Sequence, residues 1–281
     1  MSAYKLPTLQ ELLVAGVHFG HQVRRGHPRM KPYIYGAKDG VHIIDLTKTE
    51  KLLKETAEAL YNFGKEGKTL LLVGTKKQAR AIIEEAAQKA GAPYLTERWV
   101  GGFLTNFDEV FKNIKKLKEL KEQKEKGQLK KYTKKEQLLI SRKIEKLEQV
   151  YKGCLNMEVL PGGVFVADAV TDEIATKEAG RLGIKVFAIA DSNADPTRLD
   201  HFVTGNDDAI KSIKILVECL IEAYSEGKKE AGKIAEKAEQ KRLSDEKKAA
   251  DEELPEEIKM EVAAAEEQVE KAAVKESEKI V

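Results

Sequence analysis

Apolar positions along this chain keep two different periods. Thr69–Gly74 reads TLLLVG, a run without a polar break, which predicts a strand buried on both faces. GVFVADA and KVFAIADS predict two more strands of that kind, Val41–Asp45 a shorter one, and Tyr94 with Leu95 the shortest. Between them the pattern is helical. Thr8 and Glu11 form a capping box for a helix to about Val14, and Thr47 with Glu50 opens another reaching roughly Gly64. Further helices are expected from about Lys77 to Lys89, near Glu173 to Leu182, and from about Asp207 to Glu226. Strands alternating with helices imply an α/β chain with a mostly parallel, doubly wound sheet covered on both faces.

Two stretches depart from this alternation. GVHFGHQVRRGHPRMKPYIYGAKDG is dense in breakers and reads as an ordered loop. From Asn106 to Gly153 the apolar residues Phe107, Val110, Phe111, Ile114, Leu117 and Leu120 recur at three-four spacing, Gly127 interrupts, and Ile140, Ile144, Leu147 and Tyr151 resume the stripe behind a Thr133–Glu136 capping box. Two helices zipped together as an antiparallel, coiled-coil hairpin fit this pattern, inserted between strands of the sheet. Beyond Gly227 the sequence is Lys, Glu and Ala with apolar positions too sparse to bury. The organisation expected is an α/β domain from residues 1–105 and 154–227, a hairpin over 106–153, and a charged tail over 228–281 that is disordered or transiently helical.

Charge sharpens this picture. The formal net charge of the 281 residues is only +2, but it is segregated. The tail carries 12 basic and 16 acidic residues, the hairpin 15 basic and 8 acidic, and the first 38 residues six basic ones with Glu11 as their only acid. A segregated basic surface suits a polyanion, because each neutralised phosphate releases counterions; surface solubility alone explains it equally well, and a solvated face is the preferred reading for most hairpin lysines. Cys154 and Cys219 lie far apart without metal-ligand spacing, as expected of a reduced cytosolic protein. No signal peptide or membrane helix is expected.

Candidate chemistry is thin. LLLVGTKKQA is a strand, a turn with two lysines and a helix, yet it lacks the Gly-Lys-Ser/Thr of a phosphate loop; no Gly-x-Gly-x-x-Gly is present either. A backbone phosphate of RNA could use the same helix terminus without any motif. His18, His21 and His27 could in principle ligate zinc, although packing or phosphate hydrogen bonds account for them as well. Asp191, Asp195, Asp200, Asp207 and Asp208 could hold Mg²⁺, but turn formation and helix capping are the more economical roles. No Gly-x-Ser-x-Gly elbow marks a nucleophile. Trp99 could stack on a base or buttress the hairpin root, with core packing the expected role.

In order along residues 6 to 225, the segments GVHFGHQVRR with MKPYIYGAKDGVHIIDLTKT, then GTKKQA, RWVGGFLTNF, LP before a FVAD strand, DSNADP and GNDDAI resemble the small-subunit ribosomal protein two family. The resemblance implies a flavodoxin-like, five-stranded parallel sheet bearing a helical hairpin, and no catalysis. It implies a structural constituent of the small ribosomal subunit in the cytoplasm, working in translation. The implied partners are small-subunit ribosomal RNA near the head-body junction and neighbouring small-subunit proteins, including the largest, which captures mRNA; no small-molecule substrate, membrane or cofactor is implied, beyond Mg²⁺ carried with the RNA. Arg24, Arg25, Lys31, Lys76, Lys77, Arg80, Arg98 and Asn106 fall in the matching motifs and are the candidate RNA contacts. Gly26-His27, Phe103, Ser192 and Ala194 depart from the family's usual residues. The rival reading is a nucleotide- or sugar-phosphate-binding enzyme on the same fold.

Overall fold

The computed structural model describes residues 4–253. Its main sheet has five parallel strands in the order β5-β4-β6-β7-β8: β4 is Leu70–Val73, β5 Tyr94–Leu95, β6 Gly163–Val166, β7 Lys185–Ala190 and β8 His201–Thr204. Register runs unbroken from Leu70↔Gly163 to Val73↔Val166 and from Gly163↔Lys185 to Val166↔Ala188. All four residues of β4 are buried, and successive side chains serve opposite cores, as the pleat demands. Leu70 and Leu72 join one cluster with Leu53, Leu60, Phe165, Phe187, Leu216 and Tyr224. Leu71 and Val73 join the other, with Val164, Val166, Val186, Ala179 and Met30.

Helices α1 (Leu9–Val14), α2 (Leu46–Lys65), α3 (Arg80–Ala90), α6 (Glu173–Arg181) and α7 (Ile210–Glu253) flank or follow these strands. The strand at Val41–Ile44, β3, belongs elsewhere. It is the centre of a small antiparallel sheet with β1 (Phe19–Gln22) and β2 (Ile34–Lys38). The stretch expected to be one ordered loop therefore holds two strands, joined by the 3-10 turns Val23–Arg25 and Pro28–Tyr33. Each strand is too short to show a period beside so many breakers. The fifth parallel strand, β8, sits in a segment whose acids and Pro196 read as turns.

The hairpin is present as α4 (Phe107–Glu125) and α5 (Lys134–Tyr151). Gly127 turns it with φ +66°, a left-handed conformation that glycine adopts without a Cβ clash. The Thr133–Glu136 capping box is complete, with both reciprocal hydrogen bonds formed. Val110, Ile114, Leu117, Ile144 and Tyr151 are buried and form one cluster with Leu71 and Val73 of the sheet.

The last helix does not stop near Glu226. Gly227 reads as a breaker in sequence, but a Cβ there would lie 2.0 Å from the Tyr61 carbonyl oxygen; at Gly64 it would lie 2.3 Å from that of Tyr224. The two glycines let α2 and α7 cross at backbone contact. Lys228 then donates to the carbonyls of Ala90 and Gly91 at the end of α3, and Glu230 meets Lys65 and Tyr61. The chain divides into two units, Met1–Ala231 and Gly232–Val281. Within the second, residues 232–253 are helical, and the remainder of the expected tail lies outside the described residues.

Candidate RNA interface and the end of the sheet

In a doubly wound sheet, ligands bind beyond the carboxyl ends of the strands, where the winding reverses. Here the reversal falls between β4 and β6, because β5 lies outside β4 while β7 and β8 lie beyond β6. That crevice is filled by the chain's own carboxylates. The Thr75 N–H donates to Asp172 Oδ2 at 3.2 Å and the Thr75 hydroxyl to Oδ1 at 2.7 Å, where a nucleotide phosphate would take those donors. Lys76 Nζ lies 3.1 Å from Asp168, 2.7 Å from Asp207 and 2.7 Å from Asp208, so three carboxylates take its three donors. Asp168 also accepts from the Val170 and Thr171 N–H groups and the Thr171 hydroxyl. A phosphate-binding enzyme needs these donors open.

The electrostatics follow from burial. Burial works against the Lys76 charge, but Asp207 and Asp208 outweigh it and hold the ammonium above its ordinary range. Asp207 is pushed up to about 7 by burial and by the negative Asp168 and Asp191, with Lys76 opposing. Burial likewise raises Asp172, whereas in Asp168 the Thr171 donors and Lys76 overcome burial and the net shift is downward.

His21 enters the same cluster from β1. Its backbone N–H donates to the Ser192 hydroxyl at 2.8 Å, and its ring Nδ1 lies 2.9 Å from Asp191 Oδ2. Hydrogen bonding to Asp191 raises the His21 pKa against the opposing effect of burial. Ligand atoms of His21, Asp191 and Asp207 lie within 4.8 Å of one another, so this imidazole and two carboxylates could hold a divalent cation. Two groups that read as separate in sequence thus meet. His27 is not in that trio, its Nδ1 accepting from the Arg29 N–H, and His18 packs against the Phe19 ring.

The candidate RNA contacts differ in how far the chain itself engages them. Arg24 and Arg25 are exposed on the first 3-10 turn and Lys31 on the second. Arg24 donates to Gln22; Arg25, Lys31, Lys77 and Arg98 are exposed, and their side chains make no hydrogen bond or ion pair among the described residues. Lys76 differs from its neighbour, being spent on internal carboxylates. Arg80 is tied to Glu97 by a 2.9 Å ion pair and also donates to the Thr75 and Glu97 carbonyls. Asn106 is exposed at the start of α4, and its side chain caps nothing.

Glu178, which carries no sequence signal beyond its place on a predicted helix, is buried beneath the RWVGGFLTNF turn. Trp99 proves to be half-buried there, packed on Phe103 at 5.2 Å between ring centroids, with its indole N–H donating to Glu178. Burial pushes the Glu178 carboxyl up, but the indole and the N–H groups of Gly102, Leu104 and Thr105 more than offset it and lower the pKa.

Residues 12–227 match the family pattern of "Ribosomal protein S2". The chain belongs to the ribosomal protein S2 family. It is 48% identical over 221 residues to small ribosomal subunit protein uS2 of Nitratiruptor sp., covering 79% of this chain and 83% of that one. The same protein of Geotalea uraniireducens is 46% identical over 78% of this chain and 86% of its own length, and that of Chlorobaculum parvum 44% over 83% and 94%. As a member of this family the chain is a structural constituent of the small ribosomal subunit that works in translation; it is not an enzyme. Its place is the ribosome, in the cytoplasm. Among the described residues no helix is long and apolar enough to cross a membrane.

Proposed function

We propose that this chain binds small-subunit ribosomal RNA near the head-body junction and, with neighbouring small-subunit proteins, helps to hold the largest of them. The observation that carries the RNA reading is the contrast among its cations. Arg25, Lys31, Lys77 and Arg98 are exposed and unengaged among the described residues, while Lys76 is consumed internally. Unpaired surface cations are the groups that gain most from phosphate, because counterion release rewards each contact. Arg24 belongs with Arg25 on the same turn, and the hairpin's excess of 15 basic over 8 acidic residues extends the basic surface. Arg80 and Asn106 serve as flanking contacts.

The test is binding to small subunits depleted of this chain. R24E/R25E/K31E should bind more weakly and with a shallower salt dependence, since log affinity changes by about 0.7–0.9 per contacted phosphate for each log unit of salt. Equal binding and an unchanged salt slope would remove these residues from the interface. Subunits lacking the chain should also retain less of the largest small-subunit protein; undiminished retention would sink that part of the reading.

A further inference from the structure

Glu178 is a buried carboxylate that makes no ion pair among the described residues. It lies on α6 and is 5% exposed. Its partners all come from one loop. Oε1 accepts from the Trp99 indole N–H at 3.1 Å and the Gly102 N–H at 2.8 Å. Oε2 accepts from the Leu104 N–H at 3.1 Å and from the Thr105 N–H and hydroxyl, each at 3.3 Å. Burying an ionised carboxylate without a counter-charge is costly unless donors converge on it. What the anion does here is draw the N–H groups of an irregular turn toward one point, as in an anion-binding nest filled by a side chain.

That turn is the root of the hairpin. Thr105 immediately precedes Asn106, the first residue of the α4 cap, and Asn106 makes no side-chain cap hydrogen bond. Ahead of the packed residues Val110, Ile114 and Leu117, the backbone entering α4 is therefore held by the residues on Glu178 and not by a local cap. The returning side of the hairpin, after α5, is fixed differently. Gly153 lies so close to the sheet that a Cβ would sit 2.3 Å from the Tyr94 carbonyl oxygen. One root is a steric contact and the other a polar clasp.

We propose that Glu178 is a positioning residue for RNA engagement: its carboxylate locks the 99–105 turn and so aims the hairpin's cations. This rests on the reading that those cations meet RNA. Glu178 itself touches no RNA in this scheme. Its effect passes through the hairpin, and that is what a double-mutant cycle can isolate.

Lys116 on α4 and Lys143 and Lys146 on α5 are exposed cations of the hairpin, so the full-length chain, E178Q, the variant K116Q/K143Q/K146Q and the combined variant are compared for binding to small subunits depleted of this chain. Glutamine keeps the shape but turns an NH₂ group toward N–H donors. E178Q should weaken binding about tenfold, an effect within the usual range of coupling energies, and should weaken the lysine variant no further. Trp99 is the only tryptophan, so its indole N–H resonance reports the clasp directly and should move in E178Q. Wild-type binding by E178Q, or an equal loss in both backgrounds, overturns the positioning role. Wild-type binding by the lysine variant alone overturns the RNA reading of the hairpin, and the positioning role with it. Should E178Q fail to fold, T105V withdraws one donor from the same carboxylate and is read by the same comparison, with a smaller loss confined to the wild-type hairpin expected.

Discussion

The end of the sheet and the hairpin hold charge in opposite ways. At the sheet end Lys76, Asp168 and Asp207 are paired at 2.7–3.1 Å, and the two carboxylates are almost wholly buried. On the hairpin, charged side chains stand in water, as Lys112 with Glu109 and Lys126 with Glu122 do, and the balance is strongly positive. The first arrangement is internal and structural, the second available to a partner. Lys76 and Lys77 make the lesson local: adjacent in sequence and identical in type, one is spent on three carboxylates and the other is exposed.

The hardest test of this contrast is K76M. Removing one member of a buried ionic cluster leaves the others uncompensated, so denaturant unfolding should show a loss of about 3–5 kcal/mol. A loss below about 1 kcal/mol, the worth of an exposed pair, would put the sheet end in the same class as the hairpin surface. Next is L117A in the hairpin seam. Leu117 is 0% exposed and clusters with residues of the sheet, so truncation should cost about 2–5 kcal/mol within the same cooperative transition. A separate, earlier transition would show that the hairpin melts by itself.

Acid should act through Glu178, whose folded pKa is depressed by its loop donors. A depressed carboxylate contributes stability above its unfolded pKa and loses it as pH falls through the folded value. Stability should therefore decline below roughly pH 4.3, the unfolded reference, and less steeply in E178Q. Matching acid slopes in the two proteins would remove Glu178 from the account. The smallest effect on folding is expected for K77E, within about 0.5 kcal/mol, because the residue is exposed and unengaged. Its binding to small subunits should nonetheless weaken, and unchanged binding would assign Lys77 to solvent.

Much was legible in the sequence because the signals were local. Continuous apolar runs at β4, β6 and β7 marked buried strands, three-four spacing with a Thr133–Glu136 box marked the hairpin, and ordered motifs marked the family. Short-range chemistry sufficed, since pleat, helical period and capping are properties of neighbouring residues. Other features depend on residues far apart in the chain. His201–Thr204 became the fifth parallel strand only because β7 offers it an edge, and Val41–Ile44 joined a different sheet because β1 and β2 enclose it. Gly227 permits a helix crossing instead of ending a helix because Tyr61 passes against it. Which cations stay free was likewise a tertiary decision: Asp168 and Asp207, 92 and 131 residues beyond Lys76, reach it only through the winding of the sheet. Sequence composition determined how many charges the protein carries, and packing decided which of them are left to meet another molecule.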